Sequence, residues 1–461
     1  MNPALVRHVL FPLHERLKRK PTFRWLRELE RTQWLDRKEL AEYQLGRLRQ
    51  LLEFGYRHVP YYREVMDERG LAPHRFESFD DLQRLPFLTR EMIQTRSQAL
   101  RANAPLPGVH ARSSGGSTGV PVTVLVDMGR MGIAEAARLR AHRWFGVEPG
   151  EREVVVWASP IELTRQDHLR QWRDRLLNSH LLSAFDMGED RLRRYAERIL
   201  RHPPAKMYGY ASALYLLARY FERESLPPPP GLRAVFTTAE PLFDFQRKVI
   251  QTAFGCAVGV EYGCRDGGLV ALECPEGGLH VFAEGMCLEI LDPDEQGRGE
   301  IVLTNLDSHA FPIVRYRTGD IGSVDPTPCR CGRGLPKLRA VEGRRTDFLV
   351  TPSGRVLHAL SAIYLLRELA TIREFRIVQE AVNHLVIHLV PTRPLQPTEE
   401  GEIRAKFAVV FGPDMRVDVV QSEALPRSPS GKFRYVESKV AQPILERLMS
   451  GHSQGGLARN D

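Results

Sequence analysis

The chain has 461 residues, 43% of them hydrophobic, and carries 65 Lys and Arg against 57 Asp and Glu, a net charge of +8. This length supports two or three domains with real cores, and a mild positive charge spread along the chain does not call for nucleic acid as a partner, although polyanionic small ligands would suit it. The longest apolar runs, Val154 to Ala158 and Ala213 to Ala218, are far too short for a bilayer span, and the start has no signal-peptide pattern, so a soluble, cytoplasmic protein is expected.

Residues 4–20 place Leu5, Val6, Val9, Leu10, Leu13 and Leu17 among Arg7, Arg16, Lys18, Arg19 and Lys20, the pattern of a basic amphipathic helix ended by Pro21. Packing on its own domain is the first reading, and peripheral attachment to an anionic membrane stays open as the second. Asp36 and Glu39 form a capping pair for the next helix, whose Leu40, Leu45, Leu48, Leu52 and Phe54 mark a buried stripe ended by Val59 to Tyr62.

Residues 113–121, Ser-Ser-Gly-Gly-Ser-Thr-Gly-Val-Pro, combine three glycines, which let backbone approach a ligand, with four hydroxyls and free N–H groups. That is the chemistry of a phosphate cradle, although most Gly/Ser turns only connect strands. The β-branched, alternating run to Val126 predicts a loop joining two strands, and the P-loop ending and dinucleotide spacing are both missing.

From about residue 110 the pattern is mixed α/β. Val154 to Trp157 reads as a buried strand, Arg191 to Arg201 and Ala211 to Arg223 as helices, and Arg233 to Thr237, Pro241 to Phe254 and Ala257 to Glu261 as a strand, helix, strand unit. Its strands run into polar turns at Thr238-Ala239-Glu240 and Tyr262-Gly263-Cys264-Arg265-Asp266, where open parallel sheets bind ligands. Strands near 288–291 and 300–304 lead to Arg315-Tyr316-Arg317-Thr318-Gly319-Asp320. Residues 348–445 then read as a small α+β domain with helices at 357–369 and 398–411 and strands at 374–379, 384–391 and 415–420. The expected division is 1–342 with a helical lead-in over 1–105, 343–445, and a disordered tail over 446–461.

Four motifs in order, SSGGSTGVP at 113, YGCRD at 262, RYRTGD at 315 and PRSPSGK at 426, resemble the adenylate-forming superfamily. Within it the chain resembles the phenylacetate–coenzyme A ligase-like family, especially its capsular polysaccharide branch, as do VPYYREVM at 59 and LPFLTREMI at 85. The resemblance covers residues 20–440. It implies a large α/β N-terminal domain with a small, mobile α+β C-terminal domain, and a two-step reaction: a carboxylate attacks ATP to give an acyl-adenylate and pyrophosphate, then a thiol or amine displaces AMP.

By this resemblance Ser113, Ser114, Gly115, Gly116, Ser117, Thr118 and Gly119 hold the phosphates, Asp266 binds Mg2+, and Asp320 accepts from the ribose hydroxyls. Thr238, Ala239 and Glu240 form the adenine slot with Tyr262 and Gly263, Arg344 contacts the ribose or phosphate side, and Lys432 favours the adenylation transition state with a fixed positive charge. Three positions depart from the family pattern: Val120 replaces a lysine, Arg265-Asp266 replaces Thr-Glu, and Thr346 precedes Asp347 where two aspartates are usual, which leaves the hinge residue open.

Cys274 and His280, in a Cys-x5-His, pair with Cys329 and Cys331 to make a Cys3His set suited to a closed, structural Zn2+ shell, which some family members carry. The alternative is four reduced side chains without metal. Cys256, Cys264 and Cys287 read as core or loop thiols. Trp157, Tyr208, Tyr210 and Phe236 are candidates for an acyl pocket. The expected partners are a small carboxylic acid and coenzyme A; an amine acceptor giving an amide, and a non-catalytic nucleotide binder, are the rivals. The oligomeric state is left open.

Overall fold

A computed structural model describes residues 1–113, 122–157, 172–184, 187–342, 348–367, 369, 371–423, 425 and 436–440. The first helix runs from Pro3 to Leu17 but contains a π segment at Val6–Leu10. Pro12 is the physical reason: it has no N–H to continue the α ladder, and the Phe11 N–H bonds back to Val6 instead. The Asp36–Glu39 capping box is present on the helix Arg37–His58. Pro60 does not merely end that helix; it opens the next, Pro60–Glu68, from the first-turn position where its missing N–H costs nothing.

The strands that position the site are β1 (His110–Ser113), β2 (Thr123–Val126), β3 (Glu153–Trp157), β4 (Ser179–Ser183), β5 (Lys206–Tyr210), β6 (Ala234–Thr238) and β7 (Ala257–Cys264). They continue as β8 (Gly268–Glu273), β9 (Leu279–Val281), β10 (Met286–Leu291), β11 (Gly299–Asn305), β12 (Ile313–Asp325) and β13 (Lys337–Glu342). β1 and β2 pair antiparallel with Ser113 opposite Thr123, so strands flank the 113–121 loop as the alternation predicts. The other eleven form one sheet in the order β10-β11-β12-β13-β9-β8-β7-β6-β5-β3-β4. From β4 to β7 all neighbours are parallel; from β7 to β10 all are antiparallel.

The parallel half packs Val154, Val156, Met207, Val235 and Val258 under the helices Glu189–Arg201, Ala211–Arg223 and Asp244–Phe254. The last of these begins at Asp244 rather than 241, because the Gln246 side chain caps the Phe243 N–H at 3.1 Å. The helical lead-in packs Leu48, Leu52, Tyr62 and Leu88 against Val124, Ile313 and Tyr316. Leu88 exchanges backbone hydrogen bonds with Arg315 and Arg317, both at 3.0 Å.

The residues from 348 onward form their own elements: a hairpin of β14 (Phe348–Val350) and β15 (Val356–His358), then β16 (Ile372–Ala381), β17 (His384–Pro391), β18 (Arg416–Gln421) and β19 (Val436–Ser438). The last four make a sheet ordered β18-β17-β16-β19, covered by the helices Ala359–Arg367 and Pro397–Phe411 around a core that includes Leu357, Ile377, Ile387, Leu389, Phe407 and Phe411. Buried Gln379 stitches the hairpin to this sheet: it accepts from the Val350 N–H at 3.0 Å and from Ser438 Oγ at 2.8 Å, and donates to the Val350 carbonyl. Gln379→Leu should orphan both Val350 backbone groups and cost about 2–4 kcal/mol. Urea unfolding followed by hydrogen exchange over residues 348–440 measures it, and an unchanged midpoint would contradict this role.

Candidate functional site

β5, β6 and β7 end together, and cross-strand registry puts Trp157, Tyr210, Thr238 and Glu261 in one row at their carboxyl ends. Trp157 stacks on Tyr210 at 4.3 Å and lies nearly parallel to Tyr208 at 6.2 Å. The Tyr208 hydroxyl donates to Glu261 Oε1 at 3.0 Å, and Arg138 clasps the same carboxylate through Nε at 2.7 Å and Nη2 at 3.0 Å. This row therefore offers a candidate acyl group flat aromatic walls and a polar, charged end. Phe236, the registry partner of Tyr208, differs from it in being buried. Its ring centroid lies 4.1 Å from His142 and 5.1 Å from Phe145, so it serves as core.

The turn after β6 holds Ala239 at φ +67°, a left-handed conformation rare for a residue with a side chain. Glu240 accepts from the Ser212 N–H at 2.9 Å and so caps the helix Ala211–Arg223. The bend thus brings Thr238 and Ala239 to the strand ends beside Tyr262 and Gly263.

Three strands separate β12 from β7 in the sheet order, yet the two exchange tyrosine–aspartate hydrogen bonds. Tyr262 of β7 donates to Asp320 Oδ2 at 3.0 Å, and Tyr316 of β12 donates to Asp266 Oδ2, beyond the end of β7, at 2.9 Å. The antiparallel half must curl for both to form. Burial first, then the facing carboxylate, pushes each phenol well above its ordinary pKa, so both stay protonated donors.

Asp266 is only 4% exposed, and its Oδ1 has no hydrogen-bond partner among the described residues. Arg90 Nη1 stands 3.8 Å from the other oxygen, and Arg130 Nη2 donates to the Asp266 backbone carbonyl at 2.6 Å. Burial lowers the Arg130 pKa to about 10, which still leaves the group charged at neutral pH. A buried carboxylate oxygen without a protein donor fits a hard cation. Arg265, next in sequence, donates through Nη1 to the Ser113 carbonyl at 2.9 Å and ties this turn to the base of the 113–121 loop. The hydroxyls of Ser113 and Thr123 meet at 2.8 Å. Ser114, Gly115, Gly116, Ser117, Thr118, Gly119, Arg344 and Lys432 lie outside the described residues. Sequence reasoning missed the roles of Arg90, Arg130, Arg138 and Tyr316; Tyr316 carried a signal in its place inside the RYRTGD motif and Arg90 one in its place inside LPFLTREMI, while Arg130 and Arg138 carried none.

On the antiparallel side, Cys274 follows β8, His280 sits on β9, and Cys329 and Cys331 lie between β12 and β13. Pairing of Lys337 with His280 brings these segments together, and all four donor atoms fall within 4.8 Å of one another. Cys274 Sγ is 3.6 Å from Cys329 Sγ, and His280 Nε2 is 3.2 Å from Cys331 Sγ. His280 Nδ1 faces the Leu335 carbonyl at 3.1 Å; donation there would turn the Nε2 lone pair toward the thiols. Gly278 admits the cluster, since a Cβ there would stand 2.7 Å from Cys329 Sγ. Cys256 and Cys264 are half-buried and Cys287 is buried, and none of the three joins this set.

Residues 349–439 match the family model described as the CapK C-terminal domain. The chain is 22% identical over 434 residues to Protein CapK of Staphylococcus aureus, covering 92% of this chain and 94% of that one. It is 27% identical over 435 residues to the phenylacetate-coenzyme A ligase of Thermus thermophilus, covering 90% and 91%. Among solved structures, 2-hydroxyisobutyryl-CoA ligase in complex with 2-HIB-AMP and CoA aligns with a TM-score of 0.60 at 22% identity, over 91% of this chain and 94% of that one, a likeness of fold. Its four motifs in order and these near-full-length relatives make the chain similar to the phenylacetate–coenzyme A ligase-like, adenylate-forming proteins.

Proposed function

We propose that the protein activates a carboxylic acid with ATP and transfers the acyl group to coenzyme A. The observation that carries this reading is the convergence, at the ends of β6 and β7, of buried Asp266 with an unsatisfied oxygen, the Tyr262–Asp320 pair, and Arg265 bound to Ser113. Relatives named phenylacetate-coenzyme A ligase support the same chemistry.

In the first step a carboxylate oxygen of the acid attacks the α-phosphorus, the bond from that phosphorus to the α,β-bridging oxygen breaks, and pyrophosphate leaves. Hydroxyls and N–H groups of 113–119 would receive the departing charge, with Arg265 holding the base of that loop. Asp266 Oδ1 would hold Mg2+, which supplies charge neutralisation among the phosphate oxygens. Tyr316 and Arg90 keep the carboxylate oriented. Asp320 would accept from the ribose while fixed by the Tyr262 hydroxyl, and Thr238, Ala239 and Glu240 would border the adenine. In the second step the thiol sulfur attacks the acyl carbon, AMP leaves, and the thiol proton is lost. Residues 343–445 would act as a domain that rotates between the steps, bringing Lys432 in for the first and withdrawing it for the second.

Cys274, His280, Cys329 and Cys331 would hold a structural Zn2+, because three thiolates and one imidazole close a tetrahedral shell. In that role the ion pins the connection before β13 to β8 and β9.

Three outcomes are expected. Lys432→Ala should cut acid-dependent pyrophosphate exchange by about 100-fold or more, while coenzyme A transfer from a supplied acyl-adenylate falls only a few-fold; equal loss of both steps sinks the assignment. Tyr316→Phe should lower the exchange rate by about fivefold, the worth of one hydrogen bond, and Asp266→Asn by far more. Measured across an acid panel with coenzyme A or amines as acceptor, the same assay identifies the substrates, and no exchange with any acid would leave a nucleotide binder. Elemental analysis should find one zinc per chain, lost in Cys331→Ser together with several degrees of thermal midpoint. Metal-free protein with four titratable thiols at these positions would reject the zinc centre.

A further inference from the structure

The positive charge is not spread evenly along the chain, contrary to the expectation from composition. Residues 1–27 contain Arg7, Arg16, Lys18, Arg19, Lys20, Arg24 and Arg27 against Glu15 alone, so this short segment carries +6 of the total +8. Its helix, Pro3 to Leu17, is firmly seated by one face. Val6 is fully buried, Phe11 packs edge-on against Phe23 at 5.4 Å, and Arg7 Nε donates to the Pro149 carbonyl at 3.2 Å. Buried Glu15 accepts from Thr22 and pairs with Lys20 at 3.6 Å.

The opposite face is apolar and open. Leu5, Val9, Leu13 and Leu17, four residues apart, are 43%, 50%, 50% and 76% exposed. A second element adds to it: residues 172–176 present Trp172 at 65% and Leu176 at 47% exposure. The two elements are joined at their ends, because Asn178 Nδ2 donates to the Met1 carbonyl at 3.2 Å and to the Gly150 carbonyl at 2.8 Å. Arg16, Lys18, Arg19, Arg24 and Arg27 are all exposed around the stripe.

We propose that this face docks on an anionic lipid surface, with the helix lying in the plane of the interface, Leu5, Val9, Leu13, Leu17 and Trp172 entering the headgroup boundary and the surrounding arginines and lysines meeting lipid phosphates. Charge decides the occupant. A second copy of the chain on the same face would bring two segments of +6 together, whereas an anionic bilayer neutralises one. A helix of this length, roughly 22 Å, is too short to cross a bilayer, and no described helix is long and apolar enough to do so. An aromatic ring beside an apolar stripe with a basic border is the composition of helices that lie in the interface. The reading is independent of the reaction at the strand ends; its consequence is that an acyl group would be activated next to a membrane.

The test is co-sedimentation of the full chain with vesicles of about 70% phosphatidylcholine and 30% phosphatidylglycerol, alongside pure phosphatidylcholine. Binding to the anionic vesicles is expected, at least about tenfold weaker to neutral ones and in roughly 0.5 M NaCl, with a blue shift in tryptophan emission that Trp172→Phe removes. Leu13→Glu/Leu17→Glu and Lys18→Glu/Arg19→Glu should each weaken binding at least about tenfold while circular dichroism and thermal midpoint stay at the wild-type values. Absence of binding to anionic vesicles at low salt overturns the proposal. So does binding that survives both double variants, or a dimer in light scattering that Leu13→Glu/Leu17→Glu dissolves.

Discussion

The exchange of two tyrosine–aspartate hydrogen bonds between β7 and β12 is the constraint on which the site's shape depends. Three strands separate these two in the sheet, so neither bond can form on a flat surface. The curl that joins them also creates an interior, filled by Val270, Met286, Ile301 and Leu303 with Tyr262 and Cys264 against them. Apolar burial supplies the drive to curl, and the reciprocal hydrogen bonds fix how far it goes. Each aspartate is thereby held by a tyrosine from across the sheet, so the Asp320 and Asp266 carboxylates keep a set spacing.

The RYRTGD motif divides its labour along these lines. Arg315, at φ +50°, turns away from the site: it donates to the Gln83 and Leu85 carbonyls at 3.0 and 2.7 Å, pairs with Glu289 at 2.8 Å and lies 4.1 Å over the Phe87 ring. Arg317 pairs with Glu300. The two arginines lock the helical lead-in and β11 to β12, while Tyr316 and Asp320 bond across to the turn and strand of β7. A motif that reads as one unit therefore holds two functions, anchoring the strand and presenting its polar groups.

Local chemistry was legible in the sequence and long-range closure was not. The hairpin around residues 113–121, the strand end near Thr238 and the Cys-x5-His with Cys-x-Cys follow from spacing along short segments, whereas the turn expected from Tyr262 begins only after Cys264, because Tyr262, Gly263 and Cys264 pair with β8. The order of eleven strands does not follow, because β9, the strand that pairs with β13 to join the curl, has only three residues and carries no periodic signal. Arg130 and Arg138 were invisible for a related reason. Both sit on the helix Met128–Trp144 as ordinary arginines, and only tertiary packing sets one against the Asp266 carbonyl and the other on Glu261. Phe236 shows the opposite error: it pairs in register with Tyr208 and looks like a pocket wall until its burial against His142 and Phe145 shows it to be core.

The departures from the family pattern become physically coherent when taken together. Val120 stands where the pattern has a lysine, while Arg265 brings a cation to the start of the same segment, bonded to the Ser113 carbonyl. Asp266 is one methylene shorter than the usual glutamate, and the side chains around it compensate by approach: Tyr316 holds one oxygen, Arg90 stands near it, and Arg130 fixes the backbone beneath. A shorter carboxylate tolerates less misplacement, so a denser set of partners is what its burial requires. Relative to that pattern, positive charge has moved from the 113–121 segment to the turn that carries Asp266.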